Sequence, residues 1–411
     1  MRSRTPGLII VLLALLTAVG PISTDMYLPA FPAMKAELMA RPGEAQITLA
    51  AWFLGLSIGQ ITHGPLSDHY GRRVPLLLGT ALYTIASIGC ATAPSMTVLS
   101  CWRLVAAFGG AASLVIPRAV IRDLVVNGLE AARLISRLTL VMGVVPILAP
   151  TLGGVIAEHL GWEAIFWVAA LYGVLCTALI WRYLPDTLLP ERHVTLRLVP
   201  ALLRYRRVWR DRVFRFHALE GGCGTFSLFA FLGGAPTVFL GRYHLSPTLF
   251  GTIFILNASG YIIGVQVNAR AVRRYHPGRV LTAAALGLIA TCAAMLALAL
   301  SGLWGAPGIA LCMMACMATL GFLLPGAAIG SLLPHAAEAG SASALYGTTV
   351  FFIGAFSTVL VGEIGRGSPV PMAALMLLGA FGALLCDRQR PRRARRGSRS
   401  RAGRSGTLVG G

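Results

Sequence analysis

The sequence predicts an all-α membrane protein with twelve transmembrane helices in two six-helix halves. Three observations predict it. Hydrophobic residues are 56% of the 411 and charged residues 12%, with a mean hydropathy of +0.73; a soluble domain carries roughly twice that charged fraction. Apolar runs of about 20 residues, the length that crosses a bilayer, recur twelve times. When the runs alternate across a membrane, all but five of the 35 lysines and arginines fall on one side, the side that faces the cytoplasm by the positive-inside rule. The five are Lys35, Arg41, Arg103, Arg242 and Arg366.

Each element follows in order. The first run, 7–29, comes after the basic start MRSRTPG. Its apolar part is too long for a cleaved signal peptide, no A-x-A site is visible, and eleven more runs follow, so it reads as a retained helix. Helices 2 to 6 are expected near 46–66, 74–93, 96–119, 138–157 and 164–184. A polar stretch with Arg204, Arg206, Arg207, Arg210 and Arg212 then divides the chain. Helices 7 to 12 are expected near 216–240, 248–267, 280–300, 306–333, 343–361 and 371–385. The organisation is therefore a first half (1–185), a cytoplasmic linker (186–214), a second half (215–387) and a basic tail (388–411) lying near anionic headgroups. Both termini fall in the cytoplasm.

The charge asymmetry accounts for the net +20 without a nucleic-acid partner. The eight histidines are scattered over helix ends and loops with no H-E-x-x-H, and the eight cysteines show no metal-ligand spacing. Neither an enzyme nor a metal site is expected. Charge rings or filter sequences of a channel are absent from the sequence.

A trace of repetition links the halves. GPLSDHYGRR starts at Gly64 and GVQVNARAVRR at Gly264; Gly64 and Asp68 match Gly264 and Asn268, and each stretch closes on an arginine pair. Parallel six-helix repeats are a transporter plan. In the first loop, Gly64 is expected to let helix backbones approach and Gly71 to allow a tight turn. Asp68 is expected to accept from a helix N-terminus, and the arginines to pair with Asp123. Pro146, Pro150, Gly153 and Gly154 place weakening and close-packing residues in helix 5.

Three ionisable residues stand out inside apolar runs. Asp25 stands four residues before Pro29, near the outer end of helix 1. A carboxylate there is costly and is kept toward a polar cavity, where desolvation favours its protonated form. Arg103, about seven residues into helix 4, needs an acceptor, and Asp25 is at similar depth. Glu220 falls in the first turns of helix 7, where the helix N-terminus accommodates a carboxylate.

The loop GPLSDHYGRR resembles the G-x-x-x-D-x-x-G-R-R loop of the major facilitator superfamily, with Gly64, Asp68, Gly71, Arg72 and Arg73 all matching. STDMYLPAFP, PRAVIRDL, ILAPTLGG, GWEAIFW, LPDTL, LFAFLGGAPTVFL, FGTIFILNASGYIIG and GSASALYG look like the drug-resistance transporters of the bicyclomycin-resistance type, over about Ile22–Gly347. Two positions depart from that type: Ala106 stands where glutamine is usual, and Pro117 precedes Arg118 where alanine is frequent, which predicts a kink low in helix 4.

The resemblance implies the major facilitator fold and a drug:proton antiporter working by alternating access in a bacterial inner membrane. An exporter of an endogenous metabolite is the alternative. It implies proton coupling at Asp25 with Arg103, and a cytoplasmic gate motif (with Asp123) that latches the two halves. ILAPTLGG resembles an exporter-type helix 5, and a cavity between helices 1, 4, 7 and 10 would offer Met26, Tyr27, Phe108, Phe226, Phe229 and Phe322. No cofactor is implied beyond the proton gradient. The implied partners are drug-like small molecules, protons and the lipid bilayer, around a monomer.

Overall fold

The computed structural model describes residues 6–125, 134, 145–146, 148–188, 198–365 and 367–391. The first half holds α1 (Pro6–Asp25), α2 (Phe31–Glu37), α3 (Glu44–His69), α4 (Arg73–Ala91), α5 (Met96–Gly110), α6 (Ala112–Leu124), α7 (148–160) and α8 (Glu163–Tyr183). After α9 (Leu198–Arg210) come α10 (Arg212–Ala235), α11 (Pro247–Arg274), α12 (Pro277–Ser301), α13 (Gly305–Leu332), α14 (Ala339–Ile364) and α15 (Pro369–Gln389). Eleven helical segments among the described residues are long and apolar enough to cross a membrane. The start of the expected helix 5, and the tail from residue 392, lie outside the described residues.

Local chemistry explains the boundaries. Ser95, Ser246 and Ser368 cap α5, α11 and α15 by accepting from backbone N–H groups one turn ahead. Pro29 has no N–H to give the Asp25 carbonyl, so α1 ends there and the chain tightens through a 3-10 turn at Leu28–Ala30 before α2. The second-half helix expected from residue 216 begins earlier, at Arg212, because Asp211 caps it by accepting from Val213 N at 2.9 Å.

The expected kink at Pro117 is not where the helix 4 run is interrupted. The break falls at Ala111, between α5 and α6. His63 Nε2 sits 2.8 Å from the Phe108 carbonyl oxygen, the acceptor that the helical ladder would use there. Pro117 lies inside α6.

The halves meet mainly through α3 against α14, with side chains of α3 also reaching α10. Ser57 and Thr348 donate their hydroxyls to each other's backbone carbonyls, both at 3.0 Å. Phe53 stacks on Phe229 at 3.6 Å, with Phe351 beside them. Toward the arginine-poor end, Gln46 Nε2 donates to Gly233 O and Thr237 Oγ1. At the arginine-rich end, the hydrogen bond reaching across is Tyr205 of α9 to Ile61 O, 3.0 Å, among the described residues. Among the described residues the halves thus meet directly at one end and through the middle, and α9 bridges them at the other through Tyr205 to Ile61 and Arg207 to Glu338.

Candidate functional site

The sequence places Asp25, Met26 and Tyr27 where α1 stops, and a helix end leaves carbonyls without intrahelical donors. Arg103 fills that need. Its Nη1 donates to Ser23 O at 2.7 Å. Its guanidinium carbon stands 4.1 Å from the Tyr27 ring centre and 4.4 Å from that of Trp52, a cation held against two π faces. Tyr27 is fixed in turn by a hydroxyl contact with Thr48 at 3.1 Å, and Ser23 Oγ meets the Tyr83 hydroxyl at 2.6 Å. Arg103 is 2% exposed, and its Nε and Nη2 have no hydrogen-bond partner.

The expected ion pair between Arg103 and Asp25 is not among the described contacts. The physical reason is that the orphan carbonyl and the rings already hold the guanidinium. Asp25 is 8% exposed and has no hydrogen-bond or ionic partner among the described residues. A small pocket around Arg103 is lined by Ser23, Met26, Tyr27, Trp52 and Tyr83; Asp25 is not among its lining residues.

Of the residues expected to line a cavity, Met26, Tyr27, Phe226 and Phe229 are buried. Tyr27 serves Arg103, and Phe229 joins the stack between the halves. Phe108 and Phe322 are half-buried.

The loop after α3 forms a charged cluster. Arg72, 8% exposed, donates Nε to Asp123 Oδ2 at 2.8 Å and pairs also with Asp68. Arg73 donates to Trp181 O. Gly71 has a φ of +82°, as its turn requires, and a β-carbon there would collide with Asp186. Asp186 was not singled out in the sequence, yet its Oδ1 accepts from Arg72 N (3.0 Å) and Leu188 N (3.1 Å). It does the work expected of Asp68, whose side chain is half exposed. The only hint was its place in LPDTL, just past the end of a helix. Every described partner of this cluster lies in the first half or at the start of the linker and none in the second half, so in this conformation the described contacts of the cluster do not latch the two halves. Gly64 also departs from expectation: nothing lies within 4 Å of where its β-carbon would stand.

Pro146, ahead of α7, is half-buried, and Pro150 in α7 is buried. A β-carbon at Gly153 would collide with the Met26 carbonyl, and one at Gly154 would lie 2.9 Å from the Pro247 carbonyl of α11. The two glycines therefore press α7 against both the end of α1 and the second half.

Glu220 is fully buried, deeper than its place near a helix start suggested, and neither carboxylate oxygen has a partner.

The profile of the Major Facilitator Superfamily matches residues 13–359. The chain is 33% identical to an uncharacterized transporter of that type, YdgK, from Bacillus subtilis, over 90% of this chain and 92% of the relative. It is 28% identical to the bicyclomycin resistance protein homolog of Haemophilus influenzae (92% and 94%) and 28% to a chloramphenicol resistance protein of Pseudomonas aeruginosa (90% and 87%). Among solved structures it resembles a D-xylose-proton symporter, with a TM-score of 0.71 at 16% identity over 92% of this chain and 96% of that one. That likeness shows the fold.

Proposed function

The chain belongs to the Major Facilitator Superfamily, among transporters of the bicyclomycin-resistance type, and on that premise we propose that it exports drug-like small molecules in exchange for protons. It is a transporter rather than an enzyme, and multi-pass in a membrane. The observation that carries the coupling is Asp25: a buried carboxyl at the end of a membrane helix, with no donor and no counter-charge. Such a group is stable while it holds a proton and is costly without one. Exposure to water in another conformation reverses that balance.

Arg103 sets the timing. Its charge is spent on Ser23 O and the Tyr27 and Trp52 rings. If the end of α1 moves, the carbonyl is withdrawn and the guanidinium becomes available to Asp25. Proton release and substrate binding are then linked ligands on one carrier. The contacts at Gln46, Thr237 and Pro247 support a state closed on the outside, with the arginine-rich end cytoplasmic. Drug-like substrates are supported by the names of two relatives, a bicyclomycin resistance protein homolog and a chloramphenicol resistance protein.

Expression in an efflux-deficient bacterial host tests the reading. The wild-type chain should raise resistance to members of a panel containing both compounds. Asp25→Asn should insert and fold yet lose gradient-driven efflux almost completely. Wild-type efflux by Asp25→Asn would rule out Asp25 as the coupling site, and no efflux by the unmodified chain would sink the drug reading itself.

A further inference from the structure

A second buried carboxyl stands in the other half, and nothing in the coupling reading uses it. Glu220 lies on α10 about 12 Å along the helix from its start, at 1.5 Å per residue. It is 0% exposed, and both oxygens lack a donor. The groups around it come from several elements. α15 brings Cys386, Asp387 and Arg390. α14 brings Tyr346, whose hydroxyl lies against Gly221. α10 itself brings His217 and Cys223. α13 brings no charged residue.

Among the described residues, the one arginine or lysine in this cluster is already committed. Arg390 Nη2 is 2.9 Å from Asp387 Oδ1 and donates to Gly278 O at 3.2 Å, and its Nη1 reaches His217 Nε2 at 3.5 Å. Asp387 accepts a further bond from Thr282 at 2.6 Å. Arg390 and Asp387 thus cancel. An ionised Glu220 would leave one uncompensated negative charge, without a single donor, inside a sealed helix bundle.

We propose that Glu220 is a second proton-carrying carboxyl, held as the neutral acid in this conformation. It ionises when water or Arg390 reaches it, the O–H bond breaking with the electron pair left on the carboxylate and the proton passing to water. His217, one turn nearer the start of α10, and Arg390, at the end of α15, lie on the arginine-rich side of Glu220, which makes that side the direction of exchange. The proposal rests on the transporter reading, but its test needs no substrate.

The experiment is infrared spectroscopy of the purified full chain in lipid at neutral pH, in H2O and D2O, following the carbonyl stretch of protonated carboxyls. Asp25→Asn should keep part of that band, about half if Asp25 supplies the rest. Glu220→Gln should lose that part, and Glu220→Asp should shift it. Asp25→Asn without any protonated-carboxyl band would overturn the proposal, and so would a band unchanged in Glu220→Gln. Asp25→Asn decides the matter even if Glu220→Gln does not fold. Efflux assays bear on the transport reading separately, so either can fail alone.

Discussion

The stretch running from the end of α3 into the start of α4 and the stretch that closes α11 occupy matching places in the two halves, and their sequences share a glycine, a polar residue four positions on and a closing arginine pair. They do opposite things. In the first, the charges carry the structure: Arg72 is buried against Asp123 and Asp68, and Asp186 caps its backbone. Its glycine at 64 touches nothing. In the second, the glycine carries the structure: a β-carbon at Gly264 would collide with the Ala318 carbonyl. Its arginines 273 and 274 are exposed, and Asn268 replaces the acid. A repeat therefore preserves positions while one copy keeps the electrostatic role and the other the packing role.

The comparison is broken most severely at Arg72. Arg72→Ala should cost about 3–5 kcal/mol, because it strands a mostly buried Asp123; thermal unfolding of the purified protein in detergent checks this. Gly264→Ala should cost about 1–3 kcal/mol by forcing α11 away from α13. Gly64→Ala should have the opposite sign, a gain of about 0.5–1 kcal/mol, since alanine is the better helix former and the space is open. Equal effects at the two glycines would refute the division of roles. Arg273→Ala should stay within about 0.5 kcal/mol, as for an exposed surface site.

The ionisable residues follow the same contrast between what is local and what is not. That Asp25, Arg103 and Glu220 are unusual was legible from their neighbours along the chain, because a charge inside an apolar run is costly wherever it folds. Their partners were not legible. Arg103 needed an acceptor, with Asp25 a candidate at similar depth, and found a helix-end carbonyl and two rings, a choice made by where α1 stops and how α3 and α5 pack against it. Asp186 was overlooked because a carboxylate just outside a helix is unremarkable until the loop of another helix is brought to it.

The sequence by itself determined the spans, their approximate ends, the side bearing the positive charge and the division into halves. These depend on transfer of short segments between water and lipid, and that free energy is summed residue by residue. Only the tertiary structure decided which glycine is tight, which carboxylate is paired and which is bare. Those outcomes depend on distances of a few ångströms between helices far apart in the chain, where one hydrogen bond gained by Arg103 or Arg390 removes it from a neighbouring acid.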